Sequence, residues 1–207
     1  MIHCDLADRD SIARSVTKLR AGNIWNALVV APGAQEPVGP FMDVDFDEWH
    51  RSIDINFTNQ LRLLQSLLPS RNLKNVLEPI VLFFAGGGTN NATLNYSAYT
   101  ISKIASIKMC ELLDAEISDT RFAIVGPGWV RTKIHNATLQ KPKMAGENYE
   151  RTLSMLESDK CVPINQVIEC CNWLVAAKRE HISGRNFSLV NDNWGSEKLN
   201  ELLEKCF

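Results

Sequence analysis

The chain has 207 residues, of which 45% are apolar and 22% charged, and its formal net charge is 22 − 24 = −2. This length predicts a single domain over residues 1–207, and the ordinary composition excludes collagen-like, low-complexity and disordered chains. The sequence has no dense run of Lys and Arg and no apolar stretch near the roughly 18 residues that a membrane span needs, so it predicts no nucleic-acid partner and no membrane span.

Four apolar runs alternate with helical patterns along the chain. Helical spacing predicts helices over 8–21, 46–69, 98–117, 148–157 and 165–178 and a last helix starting near Ser196, with 131–146 irregular. The apolar runs are 27–30, 80–84, 122–125 and 187–190, and they are typical of parallel strands covered on both faces. The alternation predicts an α/β fold with a doubly wound, Rossmann-like parallel sheet. Ligands of such sheets bind outside the carboxyl ends of the strands, here near 32–33, 85–88 and 126–132.

The cysteine and histidine residues have no spacing that indicates a disulfide framework or a metal site. The six cysteines and four histidines are scattered along the sequence, and the polar N-terminal residues do not form the core of a signal peptide. We therefore expect reduced thiols in a cytoplasmic protein and no metal ion.

Tyr99 and Lys103 are the first candidate for chemistry. They are four residues apart at the start of a predicted helix, so their side chains lie on one face about one turn apart. An ammonium beside a phenol stabilises the phenolate, which predicts a Tyr99 pKa lowered from about 10 toward neutrality. A Tyr with such a pKa exchanges protons at physiological pH. Most Tyr-x-x-x-Lys pairs are solvent-exposed neighbours on a helix, so the context decides.

Four stretches supply that context, in the order CDLAD at 4–8, DINF at 54–57, NYSAYTISK at 95–103 and GPGWVRT at 126–132. Together they resemble the short-chain dehydrogenase/reductase family, and the resemblance extends from residue 2 to about residue 193. In that family the corresponding stretches are the end of the third strand, the segment with a conserved helix Asn, the start of the catalytic helix and a Pro-Gly loop. The resemblance implies hydride transfer between NAD or NADP and a small alcohol or carbonyl compound.

The resemblance also assigns roles to individual residues. Tyr99 is implied as the general acid/base, Lys103 as the residue that holds the nicotinamide ribose, and Asn56 as the anchor of a water that links Lys103 to solvent. The implied cofactor-binding residues are Asp5, Leu6, Gly33, Tyr99, Lys103, Pro127, Val130 and Thr132. The helices at 46–69 and 98–117 resemble those through which the family dimerises, so we expect a homodimer or homotetramer.

The sequence departs from the family pattern in two places. First, the resemblance implies that residues 4–8 correspond to the family's third strand, so we expect this sequence to lack the first βαβ unit and the glycine-rich turn that binds the pyrophosphate. We therefore expect dinucleotide affinity no better than roughly millimolar and an apolar, aggregation-prone sheet edge. Second, the family has a Ser 13 or 14 residues before the catalytic Tyr, where this chain has Gly86 and Ala85. One lost donor of this kind typically costs about 2.7–4 kcal/mol of transition-state stabilisation.

The sequence is compatible with three functions. The first is an NAD(P)-dependent oxidoreductase, favoured by Tyr99, Lys103 and Asn56. The second is a non-catalytic or truncated relative that serves as an interaction module, favoured by the two departures. The third is a sugar-nucleotide epimerase or dehydratase, against which the short region after Val130 argues.

Overall fold

The computed structural model describes residues 1–204, and within them four parallel strands form one sheet in the order β1-β2-β3-β4. The strands are β1 Ala27–Val30, β2 Ile80–Phe84, β3 Arg121–Gly126 and β4 Arg185–Ser188. Ala27 lies opposite Ile80, Ile80 opposite Arg121, and Ala123 opposite Arg185. The central strands β2 and β3 are almost wholly buried, as their unbroken apolar sequences predict.

Helices cover both faces of this sheet. They are α1 Arg9–Arg20, α2 Phe46–Ile53, α3 Asn59–Leu67, α4 Ser97–Glu116, α5 Asn136–Gln140, α6 Pro142–Ala145, α7 Glu147–Glu157, α8 Ile164–Ala176, α9 Arg179–Ile182 and α10 Glu197–Glu204. On one face Leu64 of α3 and Cys110 of α4 pack against β1, β2 and β3, and on the other Leu174 of α8 packs against β2, β3 and β4. This three-layer arrangement confirms the predicted Rossmann-like fold class. No helix among residues 1–204 is long and apolar enough to cross a bilayer.

The predicted helix over 46–69 is interrupted. It begins where expected, because the Asp45 side chain accepts hydrogen bonds from the backbone N–H groups of Asp47 and Glu48 at 2.9 Å each. A π-helical turn, Asp54–Thr58, then separates α2 from α3, and a 3₁₀ turn, Leu68–Ser70, follows α3. The wider turn changes which residues face inward, and Asn56 within it is fully buried. Periodicity alone did not predict this break.

The N-terminal residues do not form the strand end that the family resemblance implied. Residues 1–5 contain no strand. A strand needs a neighbouring strand for its hydrogen bonds, and within residues 1–204 none lies beside them. The Ser15 hydroxyl instead donates to the His3 carbonyl at 2.7 Å, and the Asn59 amide donates to the Leu6 carbonyl at 2.8 Å. Across residues 1–204 the second edge of β1 has no strand partner, and Val29 on β1 is 51% exposed.

Two other segments differ from their predictions. The predicted loop at 131–146 contains a 3₁₀ turn, Lys133–His135, followed by α5 and α6. Helices of four or five residues are too short to show periodicity, and these are stabilised by burial of Ala137 and Ala145. The last strand lies two residues before its predicted position, because its ladder with β3 ends at the pair of Gly126 and Ser188.

Candidate functional site

Lys103 forms the floor of the candidate site. It lies on α4 with 5% of its surface exposed, and its Nζ donates to the carbonyl of Phe84, the last residue of β2, at 2.9 Å. This hydrogen bond holds α4 against the carboxyl end of β2, which is the edge at which parallel sheets bind ligands. One hydrogen bond uses one of three ammonium donors, so two N–H groups remain to bind a ligand.

Tyr99 lies one turn before Lys103, next to Gly86. A Cβ atom placed on Gly86 would be 2.7 Å from the Tyr99 hydroxyl oxygen and 2.8 Å from Lys103 Cγ. The Tyr99 ring is also close to the lysine, with 5.8 Å between Lys103 Nζ and the ring centroid. The structure therefore brings Tyr99 and Lys103 together as the helical spacing predicted.

Burial controls the protonation of this pair. It raises the pKa of the Tyr99 phenol to about 12 and lowers the pKa of the Lys103 ammonium to about 8. The prediction that Lys103 lowers the Tyr99 pKa toward neutrality is wrong for the protein as the structure describes it. Lost hydration outweighs the attraction of an ammonium group whose hydrogen bond goes to Phe84. Tyr99 is consequently a neutral phenol at physiological pH, which is the protonation state of a proton donor.

Asn56 connects the π-helical turn to the loop after β1. Its side-chain oxygen accepts from the Ala34 N–H at 2.9 Å, and its amide donates to the Ala34 carbonyl at 2.8 Å and to the Ser52 hydroxyl at 3.1 Å. These three bonds occupy most of the hydrogen-bonding capacity of the buried amide. Asn56 therefore fixes the position of the loop beside the site, and the water that the family resemblance implies stays a prediction.

Gly33 is the point at which the loop after β1 comes closest to Lys103. A Cβ atom on Gly33 would be 3.8 Å from Lys103 Nζ, 3.7 Å from Asn56 Oδ1 and 3.5 Å from Ile134 Cδ1. The backbone of Gly33 is solvent-exposed, so a ligand can approach it closely above the lysine. Gly33, Asn56, Lys103 and Tyr99 thus form one cluster at the carboxyl ends of β1 and β2.

Pro127, Val130 and Thr132 lie in the loop after β3, beside this cluster. Pro127 and Val130 are partly buried and Thr132 is exposed. The Val130 carbonyl is 3.0 Å from His135 Nε2, and the His135 ring stacks on Trp129 with 5.1 Å between centroids. Ile134, from the same segment, forms the link to Gly33. Sequence reasoning missed His135, because a lone histidine carries no spacing signal.

Asp5 and Leu6 are held separately from the cluster. The Asp5 carboxylate is exposed and accepts from the Ala7 N–H at 2.9 Å, whereas Leu6 is buried and bonded through its carbonyl to Asn59. Asn59 lies one turn after Asn56 and was not predicted. A polar residue on the buried face of an amphipathic helix was the available signal for it.

The structure distinguishes Ala85 from Gly86 as the place of the missing Ser. Ala85 is 7% exposed and packs in the apolar core with Val30, Leu64 and Phe83, away from the phenol. Gly86 faces Tyr99 and Lys103. The position from which a hydroxyl would reach the phenol is therefore residue 86. Within residues 1–204 no three His, Cys, Asp or Glu side chains are placed to hold a metal ion.

Comparisons with known proteins identify the family of the chain. The family model described as "Enoyl-(Acyl carrier protein) reductase" matches residues 1–189. An uncharacterized oxidoreductase of Schizosaccharomyces pombe is 23% identical over 164 residues, and the match covers 77% of this chain and 65% of that protein. The chain thus spans less than two thirds of that relative's length.

Two solved structures share the fold. A short chain dehydrogenase/reductase of Saccharomyces cerevisiae is 22% identical, with a TM-score of 0.79 over 91% of this chain and 75% of that one. A short chain dehydrogenase of Shigella flexneri, solved in complex with NADP, is 19% identical, with a TM-score of 0.68 over 91% of this chain and 72% of that one.

Proposed function

We propose hydride transfer between NAD or NADP and a small alcohol or carbonyl substrate as the function of this chain, which belongs to the short-chain dehydrogenase/reductase family. The observation that carries the proposal is the placement of the Tyr99 phenol and the Lys103 ammonium together at the carboxyl end of β2, beside the exposed Gly33 backbone. Positioning of donors at this edge of a parallel sheet supports catalysis on a bound ligand.

The chain's residues fit the nicotinamide-ribose part of the cofactor. Lys103 has two ammonium donors beyond the one that binds Phe84, and a Cβ atom on the exposed Gly33 would be only 3.8 Å from Nζ, which suits a ribose diol. The loop with Pro127, Val130 and Thr132 borders the same space through Ile134. When bound, a nicotinamide supplies or accepts the hydride. Asp5 and Leu6 are our proposed contacts to the adenine end, supported by the resemblance of the sequence at 4–8 to the family.

Tyr99 moves the proton in this scheme. As a neutral phenol with its pKa raised to about 12, Tyr99 donates a proton to a substrate carbonyl oxygen while the carbonyl carbon receives the hydride. Lys103 binds the cofactor and, as an ammonium below pH about 8, lowers the cost of the phenolate that forms. Asn56 keeps the loop after β1 in place.

A non-catalytic member of the family is the second candidate. Position 86 has no side chain to hydrogen-bond to a carbonyl oxygen, and the space that such a side chain needs holds the Tyr99 hydroxyl. A site of this kind retains the fold and a partial cofactor surface with a weakened reaction.

Assembly and location complete the proposal. Helix α4 exposes Ile101, Ile104 and Leu112 at 51%, 39% and 46%, which favours a homodimer or homotetramer that covers them. An Ile104→Glu variant that remains the same size as wild type in light scattering would contradict this interface. The five described cysteines are unpaired thiols, which supports a reducing compartment such as the cytoplasm.

The test of function is reduction of a panel of small ketones and aldehydes with NADH and NADPH. Turnover that Tyr99→Phe lowers at least 100-fold, with dinucleotide binding unchanged in calorimetry, supports the enzyme. Lys108→Met is the control, because Lys108 lies on the same helix with a side chain that is 65% exposed. Dinucleotide binding without turnover of any substrate favours the non-catalytic relative. Turnover that survives Tyr99→Phe overturns the assignment of Tyr99.

A further inference from the structure

A small apolar cluster lies apart from the two cores that flank the sheet. It contains Val38, Tyr96, Ala137 and Ala145, all 4% exposed or less, with Tyr149 packed against them. Its members come from three segments: the loop after β1, the residues just before α4, and the stretch 133–146. The cluster therefore joins the start of the helix with Tyr99 to two loops beside the site.

A chain of hydrogen bonds runs through this cluster. The Tyr96 hydroxyl is 2.7 Å from Thr138 Oγ1, and the Thr138 hydroxyl donates to Gln35 Oε1 at 3.2 Å. Since the single proton of Thr138 is used toward Gln35, Tyr96 is the donor to Thr138. Tyr96 is 4% and Thr138 1% exposed, so loss of either bond leaves a buried polar atom unsatisfied.

Further bonds between the same segments lie beside this chain. The Asn95 amide donates to the Ala145 carbonyl at 3.1 Å, and the Gly39 N–H donates to the Asn95 carbonyl at 2.9 Å. Asn95 adopts φ = 70°, a left-handed conformation that asparagine tolerates. The three segments are thus fixed to one another by both backbone and side chains.

Both ends of the Tyr96–Thr138–Gln35 chain reach the candidate site. Gln35 follows Ala34, whose N–H and carbonyl both bond to Asn56. Tyr96 precedes Tyr99 by three residues at the start of α4. Between these ends, the segment that carries Thr138 places Ile134 next to Gly33, where an added Cβ atom would be 3.5 Å from Ile134 Cδ1. The position of residues 133–146 is thus coupled to the loop after β1 at Gly33, beside Lys103.

We infer that Tyr96 is a positioning residue, whose hydroxyl holds residues 133–146, here called the lid, against the loop after β1 through Thr138 and Gln35. Calling the neighbouring space the active site rests on the proposed function. The hydrogen-bonded latch itself rests only on the contacts above. Tyr96 touches neither substrate nor cofactor in this role. Its effect reaches the reaction through the lid.

Amide hydrogen exchange of the intact chain tests the latch without substrate or turnover. Tyr96→Phe keeps the buried ring and removes the hydroxyl, and Thr138→Val removes the second hydroxyl at similar volume. We expect each to speed exchange at 133–146 about tenfold, equivalent to about 1.4 kcal/mol, and to leave the strands unchanged. Thr138→Ser keeps a hydroxyl, so its exchange at 133–146 should be as slow as in wild type. The double variant should add little to either single variant, because both remove one chain of bonds.

Three results would overturn the inference. They are unchanged exchange in the lid, equal acceleration across lid and strands, and failure of Thr138→Ser to restore slow exchange. In turnover assays Tyr96→Phe should raise KM about tenfold and leave kcat within about twofold. A kcat loss as large as that of Tyr99→Phe would instead make Tyr96 a catalytic residue. If the proposed function is wrong, turnover is absent. The amide hydrogen exchange measurement then still tests the hydrogen-bonded latch.

Discussion

Gly86 and Tyr99 share one space at the end of β2: a Cβ atom on Gly86 would lie 2.7 Å from the Tyr99 hydroxyl oxygen. Any side chain added at residue 86 must therefore displace the phenol or Lys103 Cγ, which would be 2.8 Å away. Activity and geometry are linked at this position. A substitution there changes both the space around Tyr99 and the number of hydrogen-bond donors.

The first prediction separates these two effects with a matched pair of variants. Gly86→Ala imposes only the steric cost, whereas Gly86→Ser adds a hydroxyl that can hydrogen-bond to a carbonyl oxygen. We expect the Ser variant to have kcat/KM about 10²- to 10³-fold above that of the Ala variant, the range for one added donor to developing oxyanion charge. Equal rates for the two would show that a hydroxyl at residue 86 does not reach the reacting oxygen.

Ala85→Ser serves as the comparison, because Ala85 precedes Gly86 and is the other position at which the family's Ser was expected. Ala85 is buried in the apolar core, so the new hydroxyl has an apolar environment. We expect a loss of about 1–3 kcal/mol in the free energy of unfolding and no gain in turnover. A faster Ala85→Ser enzyme would mean that residue 85 faces the site in solution.

The second prediction concerns the buried Lys103. Its pKa is lowered from 10.5 to about 8 in the folded chain, so between these values the unfolded chain binds more protons and stability rises with pH. Below pH about 8 Lys103 is charged in the folded chain, and folding then carries the full free-energy cost of burying that charge. Lys103→Met should therefore be more stable than wild type at pH 7, by up to about 3 kcal/mol, and this advantage should vanish near pH 10.5.

Urea unfolding at several pH values measures this difference. Lys108→Met is the matched control, since its lysine side chain is 65% exposed on the same helix, and its stability should follow wild type at every pH. Parallel curves for Lys103→Met and wild type would contradict the lowered pKa of Lys103.

The third prediction concerns Arg121 at the start of β3. Its guanidinium is 2% exposed and donates to the carbonyls of Glu78 at 2.9 Å and Val175 at 3.2 Å, and also to that of Ala177. Two of these carbonyls are at the C-terminal end of α8, so Arg121 caps that helix. Arg121→Met should lower the free energy of unfolding by at least about 3 kcal/mol. In chemical denaturation the free energy of unfolding of Arg121→Lys should lie between those of wild type and Arg121→Met. A loss below about 1 kcal/mol for Arg121→Met would disprove the capping role.

The fourth prediction uses two neighbouring residues of β1. Val29 is 51% exposed beside a strand edge that has no partner within residues 1–204, whereas Val30 is 6% exposed. A charge on an exposed apolar edge opposes edge-to-edge pairing. Val29→Lys should reduce aggregation in light scattering with the unfolding midpoint nearly unchanged. Val30→Lys should destabilise the fold instead, and unchanged aggregation of Val29→Lys would mean that this edge does not drive association.

Much of the fold could be predicted from local sequence. The runs 27–30 and 80–84 coincide with β1 and β2, because a strand buried on both faces needs an unbroken apolar sequence. Tyr99 and Lys103 meet as predicted, since the 3.6-residue period of a helix fixes neighbours four apart on one face. The start of α2 at Asp45 follows from cap chemistry that involves only adjacent residues.

What only the tertiary structure decided depends on contacts between distant parts of the chain. The sequence does not predict that Ala85 packs in the core and that Gly86 lies against Tyr99, because the neighbours of both residues come from helices distant in the chain. The pKa of Tyr99 depends on how many groups exclude water from the phenol, and the sequence suggested only its nearest charge. The bonds of Asn56 to Ala34 and of Tyr96 to Thr138 span 22 and 42 residues, a separation at which local patterns carry no information about contact.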